Sequence, residues 1–493
     1  MTARNVIFFH PESWDGRMLG YMGHPALAEA TPNIDRIAAD GARFPVAYCT
    51  NPICCPSRAN MWSGQYTHRC ESWNNHKGLD PHMWALIDAL PNTHTVHVEG
   101  KLDYRSGGHS MMNFINDLTV AAGIAKPVMD EDPSQAVEVR EDRNPRCHES
   151  QWQQVDRAIE FLRRQAESPS DRPFFLYFGL ALVHPKFVTN RYWLDRIPED
   201  RVDIPPIDGC DHPGVAYQRN AKGWRHGLDD DTVRLVRRIY MAMCAECDAL
   251  AGRVYDAMHE LGLADSTHLV FGSDHGELAL EHQQYYKMSM YEGSARVPLI
   301  ITGPDVPAGR RCENIVSNID LCPTLCEMAG VDKPPVLDGE SLMPLATGAT
   351  DDSRNEAHAA YMGITVNTSS WMLRRGRYKY IAYVGQPSQL FDLDADPGEL
   401  NDLAGREPDV AAGMDRRLRE IVDYEQAHRH WQAYCKRRFA EFRREARRGL
   451  YVDNSYGLAK APSRDYWTMM DNAYTGYDQA DEARIDAWLE APV

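Results

Sequence analysis

A thiol, a proline and an arginine meet in the stretch Asn51–Gly64, NPICCPSRANMWSG. Pro56 suits the first position of a helix, where its missing N–H would be unpaired in any case, and Gly64 suits the stop. Ala59, Met61 and Trp62 give that helix an apolar face with which to anchor itself. Its N-terminal end carries free amide N–H groups and partial positive charge, and Arg58 adds a planar, permanent cation. Together these form an anion site with Cys54 at its mouth. An anion held beside a nucleophile points to chemistry on a sulfate or phosphate ester. The plain alternative is a buried Cys54–Cys55 pair opening an ordinary helix.

Other chemistry-bearing residues follow short apolar runs. Val6–Phe9 reads as a strand, and His10 to Arg17, a mainly polar stretch, comes just beyond its carboxyl end, where ligands collect in open α/β sheets. Phe174–Leu182, FFLYFGLAL, has the continuous apolar character of a buried parallel strand and runs into Val183-His184-Pro185. A histidine at such a strand end is placed for function. His268–Ser273 is a further strand, followed directly by Asp274-His275-Gly276-Glu277. A hard carboxylate next to an imidazole makes half of a metal site. For Lys101 and His109 alone, the ordinary expectation is a solvated or hydrogen-bonded side chain.

These stretches resemble one family. Cys54-Cys55-Pro56-Ser57-Arg58 with Ser63-Gly64 is similar to the C-x-P-S-R…(S/T)G signature of type I sulfatases, in the alkaline phosphatase superfamily. TPNIDRIAADG at residues 31–41, SDHGELALEHQQYYKMSMYEGSARVPLIITGP at 273–304 and QLFDLDADPGELNDL at 389–403 are similar to further family segments. The resemblance implies that a maturation enzyme oxidises Cys54 to formylglycine, whose hydrated form attacks sulfur and then expels sulfate. It implies Asp274 and His275 as metal ligands, Lys287 as the lysine between sulfate and leaving oxygen, and His184 as the histidine near that oxygen. The family's usual aspartate pair reads Glu12-Ser13 here, so Glu12 is the expected carboxylate ligand. Asp15 either joins it or caps the following turn. With the Cys54 position completing the site, the expected cofactor is one divalent cation, Ca2+ before Mg2+ or Mn2+. Lys101 matches the lysine of Gly-Lys-x-His, which touches the sulfate; Asp103 stands at the histidine position, and His109 is a candidate to take over part of that role. The segments ICCPSRANMWSGQYTH, ESWNNHKGLDP and GKLDY are similar to a branch that removes 2-O-sulfate from uronic acid units of glycosaminoglycans. The same constellation also serves phosphodiester and phosphonate monoester hydrolases, and a non-catalytic anion-binding relative is a third reading.

The elements that must position these residues imply an α/β fold: a large central, mostly parallel sheet flanked by helices, then a smaller C-terminal antiparallel sheet with a helix. The composition break at 347–355, TGATDDSRN, divides a catalytic region, 1–350, from a C-terminal subdomain, 351–493. In the latter, Ser370–Tyr383 alternates as strand, turn and strand, with Arg374, Arg375 and Lys379 assigned to one face. Tyr424–Arg448 is a basic helix with Trp431, Cys435, Phe439 and Phe442 in one stripe, docked on the body or at a contact between copies. The last residues lack clear periodicity and read as an extended tail.

The 493 residues carry 53 Lys+Arg against 71 Asp+Glu, a net charge of −18. Such a surface disfavours nucleic acid, so positive charge for a small anionic sulfated substrate must be concentrated in the pocket. No apolar run is long enough for a membrane span. Met1 leads straight into the first strand without a signal-peptide pattern, which favours a cytoplasmic protein working on imported fragments. Twelve scattered cysteines fit reduced thiols. Cys244, Cys247, Cys322 and Cys326 could be combined into a zinc site, but they lie in apolar helical patterns and read as core cysteines.

Overall fold

Alternation along the first strand, β1 (Asn5–Phe9), sets the layers of a computed structural model of the chain. It describes residues 4–107, 109, 115, 122, 137–222, 228–450, 465–474 and 476–493. Val6 and Phe8 enter one hydrophobic core, while Ile7 and Phe9 enter another on the opposite face. The remaining strands of this sheet are β2 (Ala42–Arg43), β3 (Thr95–Gly100), β4 (Phe174–Gly179), β5 (Thr267–Gly272), β6 (Leu299–Thr302) and β7 (Arg310–Arg311). Their order is β7-β2-β6-β5-β1-β4-β3. β3, β4, β1 and β5 run parallel, and only β6 lies antiparallel to its neighbours. The expected central, mostly parallel sheet is therefore present.

Helices cover both faces. On one side α1 (Pro32–Ala39), α3 (Glu149–Glu167) and the long α5 (Asp230–Glu260) share the core of Ile7 and Phe9. On the other, α2 (Cys54–Ser63) and α6 (Leu321–Ala329) share that of Val6 and Phe8. Cys244 and Cys247 lie in the first core, Cys322 and Cys326 in the second. The sheet separates the two pairs, so no zinc site can combine them.

A second sheet, β8 (Glu356–Tyr361), β9 (Ser370–Arg375), β10 (Tyr378–Tyr383) and β11 (Gln386–Asp392), is an antiparallel meander. Ala357, Ala359, Met372, Ile381 and Phe391 pack into the main body, whereas Trp371, Leu373, Tyr380 and Leu390 face α7 (Pro408–Ile421) and α8 (Tyr424–Arg447). Arg374 pairs across the ladder with Lys379, so these two share a face. Arg375 does not join them: adjacent residues of a strand point to opposite sides. The α8 stripe of Trp431, Cys435, Phe439 and Phe442 is buried within the chain itself.

The expected extended tail is corrected. It contains α9 (Tyr466–Ala473) and α10 (Gln479–Glu490), which pack on α8. Asp465 and Asp478 accept N-cap hydrogen bonds, and Tyr466, Met469, Met470 and Ala473 follow helical spacing. Residues 451–464 lie outside the described residues. Among the described residues no helix is long and apolar enough to cross a membrane.

Candidate active site

Stretches far apart in sequence converge beyond the carboxyl ends of β1, β3, β4 and β5. The ligand atoms of Glu12, Cys54, Asp274 and His275 all lie within 4.8 Å of one another, and all four residues are buried. Helix α2 starts at Cys54, two residues before Pro56, so the thiol itself occupies the first helical position. The reason is local: Ile53 is extended, Ser57 N–H reaches back to the Ile53 carbonyl, and the Asn75 side chain accepts from Cys55 N–H. Gly64 ends the helix in the left-handed region at φ 70°, as expected of a C-terminal glycine.

Cys54 Sγ donates to Glu12 Oε1 at 2.9 Å and lies 3.3 Å from His275 Nε2. His275 Nδ1 donates to the Gly276 carbonyl at 2.9 Å, which keeps its proton there and turns the Nε2 lone pair toward the cluster. Asp274 Oδ1 accepts the N–H groups of Ser13 and His275, and its Oδ2 accepts from Arg58 Nε at 2.9 Å. Arg58 Nη1 donates to the Lys101 carbonyl and to the Tyr177 hydroxyl, at 2.8 and 2.9 Å. Lys101 Nζ donates to Glu12 Oε1 at 2.7 Å and stands 3.2 Å from Asp103. Lys287 Nζ donates to Nε2 of His184, whose Nδ1 faces the Pro185 carbonyl. That imidazole lies 3.9 Å from Glu12 Oε1.

The charges bias each other. Burial alone would raise the Glu12 carboxyl, but Lys101 and Arg58 override it and hold the group well below the usual carboxylate range. Asp274 is treated the same way by Arg58 and comes down to about 2. Burial, with the Lys287 ammonium beside it, pushes His184 down to about 4, so its imidazole is neutral near neutral pH. Two ionised carboxylates and an imidazole nitrogen in one buried pocket are a donor set that fits a divalent cation. Two further buried polar atoms, Arg58 Nη2 and Ser13 Oγ, have no hydrogen-bond partner among the described residues, although Arg58 Nη2 lies 3.9 Å from Glu12 Oε2. The group is thus provided with more polar capacity than it uses.

Of the candidate residues, Glu12, Cys54, Arg58, Lys101, His184, Lys287, Asp274 and His275 are brought together. Asp15 is not among the clustered ligands: its carboxylate is paired with Arg17, which in turn reaches Glu281. It therefore fixes the turn after β1. His109 meets the Asp103 carboxylate at 2.8 and 2.9 Å, one residue out from Lys101. Ser13 supplies its N–H to Asp274 with φ at 64°, in the left-handed region.

Sequence reasoning missed three supports. Tyr177 links Arg58 and His10 through its hydroxyl, and its one signal was a polar atom inside the FFLYFG run. Ser57 Oγ and Asn318 Nδ2 hold the Asp274 and Ser273 carbonyls; Ser57 stood in the signature without an assigned role, and nothing in the spacing singled out Asn318. A second ligand-type group, Cys147, His148 and Glu246, has a structural explanation. Glu246 accepts from His148 N–H, His148 Nδ1 and Trp152 Nε1, which fastens the start of α3 to α5.

Comparisons with known proteins place the chain in a family. The family model described as Sulfatase matches residues 4–331, and one described as N-sulphoglucosamine sulphohydrolase, C-terminal, matches residues 280–424. Arylsulfatase K of Homo sapiens is 37% identical over 515 residues, covering 99% of this chain and 93% of the relative. Arylsulfatase K of Bos taurus is 35% identical over 521 residues, with 99% and 92% covered. Among solved structures, the phosphonate monoester hydrolase of Agrobacterium radiobacter aligns with a TM-score of 0.67 at 21% identity, covering 86% of this chain and 96% of that one. A 2-O GAG sulfatase aligns with a TM-score of 0.64 at 20% identity, covering 94% and 99%. At such identities the structures speak for the fold, while the family match and the full-length relatives carry the assignment: the chain belongs to the sulfatase family of sulfuric ester hydrolases.

Proposed function

We propose that this sulfatase removes the 2-O-sulfate of a uronic acid unit, or of a related small sulfated sugar, through a formylglycine made from Cys54 by a separate maturation enzyme. The observation that carries the reading is the convergence of Cys54 with Glu12, Asp274 and His275 in one buried group. The match of residues 280–424 to the model described as N-sulphoglucosamine sulphohydrolase, C-terminal, supports a sulfated-sugar substrate. The segments similar to the uronate 2-sulfatase branch supply the finer choice.

Glu12, Asp274 and His275 are the residues that would hold a divalent cation, calcium by family resemblance. When bound, that cation supplies positive charge to a sulfate oxygen facing the Cys54 position. Arg58 and Lys101 offer fixed cations to the charge that builds on the transferring group; their hydrogen bonds to Asp274 and Glu12 hold them in position before substrate arrives. Asp103, braced by His109, orients the Lys101 ammonium. His184 and Lys287 share one proton-bearing contact at the leaving-group side. A sulfate anion entering there raises the imidazole from its low value, so the pair can deliver a proton to the departing oxygen.

The test is a desulfation screen of sulfated uronate disaccharides, with an aryl sulfate and an aryl phosphodiester alongside and Cys54→Ala as control. Release of 2-O-sulfate is expected, with the control at least about 10³-fold slower. Intact mass is expected to show a side chain at Cys54 lighter by the difference between thiol and aldehyde. Equal turnover by Cys54→Ala removes the cysteine from the mechanism, and a faster rate on the phosphodiester transfers the protein to the phosphodiesterase branch.

A further inference from the structure

The loop that delivers Lys287 holds a shape its own backbone resists. Ala279, Leu280, His282, Gln283, Tyr286 and Met288 all have φ between 43° and 76° without being glycine. Each such residue costs about 1 kcal/mol or more, and the shape persists only where its surroundings over-determine it. Internal bonds from Leu278 N–H to the Tyr286 carbonyl and from Leu280 N–H to the Gln284 carbonyl close the loop on itself. Met288 N–H donates to the Pro52 carbonyl, which ties it to the chain entering Cys54.

The outer side is gripped by α4 (Pro213–Ala221) and the residue after it. Gln218 Nε2 donates to the Met288 carbonyl at 2.6 Å. Lys222 Nζ donates to the Lys287 carbonyl at 2.6 Å and to Gln284 Oε1 at 2.9 Å. Arg219 Nε donates to the His282 carbonyl at 2.9 Å. Lys222 is only 2% exposed, and burial pushes its ammonium down to about 7 despite the nearby Glu277 carboxylate. Confining a cation in this place is costly, and a surface lysine would avoid that cost. None of these helix residues falls in the segments that carried the family resemblance.

We infer that Lys222 and Gln218 are positioning residues for Lys287: by gripping the carbonyls of Lys287 and Met288 they hold the Lys287 ammonium against His184 Nε2. The inference rests on the reading above, that Lys287 acts at the reacting group. A misplacement of the order of an ångström at a reacting group costs up to about 100-fold in rate.

The experiment is a double-mutant cycle on the full chain, read as aryl sulfate turnover. Lys222→Met and Gln218→Leu are each made in the natural sequence and in a Lys287→Ala background. Each is expected to lower kcat about 10- to 100-fold with KM changed less than about threefold, and to cause no further loss once Lys287 is gone. The same proportional loss in both backgrounds overturns the inference, as does a loss confined to KM or no loss at all. Lys287→Ala turning over at the full rate sinks the catalytic reading of Lys287 first, a result visible before either partner is changed. If Lys222→Met does not fold, Gln218→Leu carries the same cycle alone.

Discussion

Lys379 and Arg58 are both cations with no exposure, yet they sit in clusters of different kinds. Lys379, on β10, lies between Glu292 and Glu399 at 2.6 and 2.8 Å and donates to the Met290 carbonyl at 3.0 Å. The second oxygen of Glu292 is 3.2 Å from Arg296, and the second oxygen of Glu399 accepts the Glu292 N–H. Every charged atom there has an opposite charge or a donor, and the group closes the seam between the small sheet and the main body. Around Arg58 the account stays more open: among the described residues Arg58 Nη2 has no hydrogen bond and only a 3.9 Å ion contact with Glu12, Ser13 Oγ has no hydrogen bond, and two carboxylates lie side by side at the thiol. A buried charge cluster that is complete holds a fold together; one left incomplete is shaped for something that arrives later.

Breaking the complete cluster has the largest expected effect on stability. Lys379→Met leaves the buried Glu399 without its cation and Glu292 with Arg296 alone, and lowers stability by about 3–5 kcal/mol. Thermal unfolding would show it, while the fraction still folded keeps its kcat. A small shift would mean that the seam relaxes and the contrast is overstated. Filling the incomplete cluster sharpens the comparison from the other side. A divalent cation at about 100 times its dissociation constant raises stability by about 2.7 kcal/mol, and chelator reverses both that gain and the turnover. Glu12→Gln is expected to remove the gain, and Lys379→Met to leave it intact. No cation-dependent shift in unfolding would remove Glu12, Asp274 and His275 as ligands.

The smallest expected effect is a pH slope on the small-sheet side. Burial pushes His358 down to about 4, and its Nδ1 faces the Met372 carbonyl. In the unfolded chain the same imidazole titrates near its ordinary value of 6.5. The unfolded state therefore takes up the proton first as pH falls, so this share of stability is present above about 6.5 and drains toward 4. Between about pH 7 and pH 5 the loss is about 2 kcal/mol from this one group. Denaturation midpoints of the natural protein and His358→Gln, compared at the two pH values, would show the slope flatten in the variant. Parallel slopes would count against His358 as its source.

The sequence made the site legible where chemistry and local pattern coincide. Cys54 and Arg58 fall on one helical turn, Asp274 and His275 follow an apolar run, and His184 ends another. The central sheet was legible for the same reason, since a strand buried on both faces must be apolar throughout. What escaped depends on which distant segments end up adjacent. The start of α2 at Cys54 depends on Asn75 meeting Cys55, and Tyr177 serves the site only because β4 lies beside β1. Asp15 could be resolved only by the place of Arg17. Arg375 illustrates a different error: charge similarity suggested a shared face, whereas strand geometry assigns Arg374 and Arg375 to opposite ones. The helices after residue 465 were missed although their spacing is helical, because aromatic and acidic residues obscured the period.

The small sheet has one consequence for any attempt to dissect the chain. Ala360 N–H donates to the Thr50 carbonyl, and Arg374 Nε to the Tyr48 hydroxyl, just upstream of Cys54. One apolar face of that sheet is also part of the wall behind α2. A fragment ending near residue 350 would strip away this backing and leave a greasy flank open to water. Shortening the chain from its far end is therefore expected to loosen the segment that leads into the cysteine.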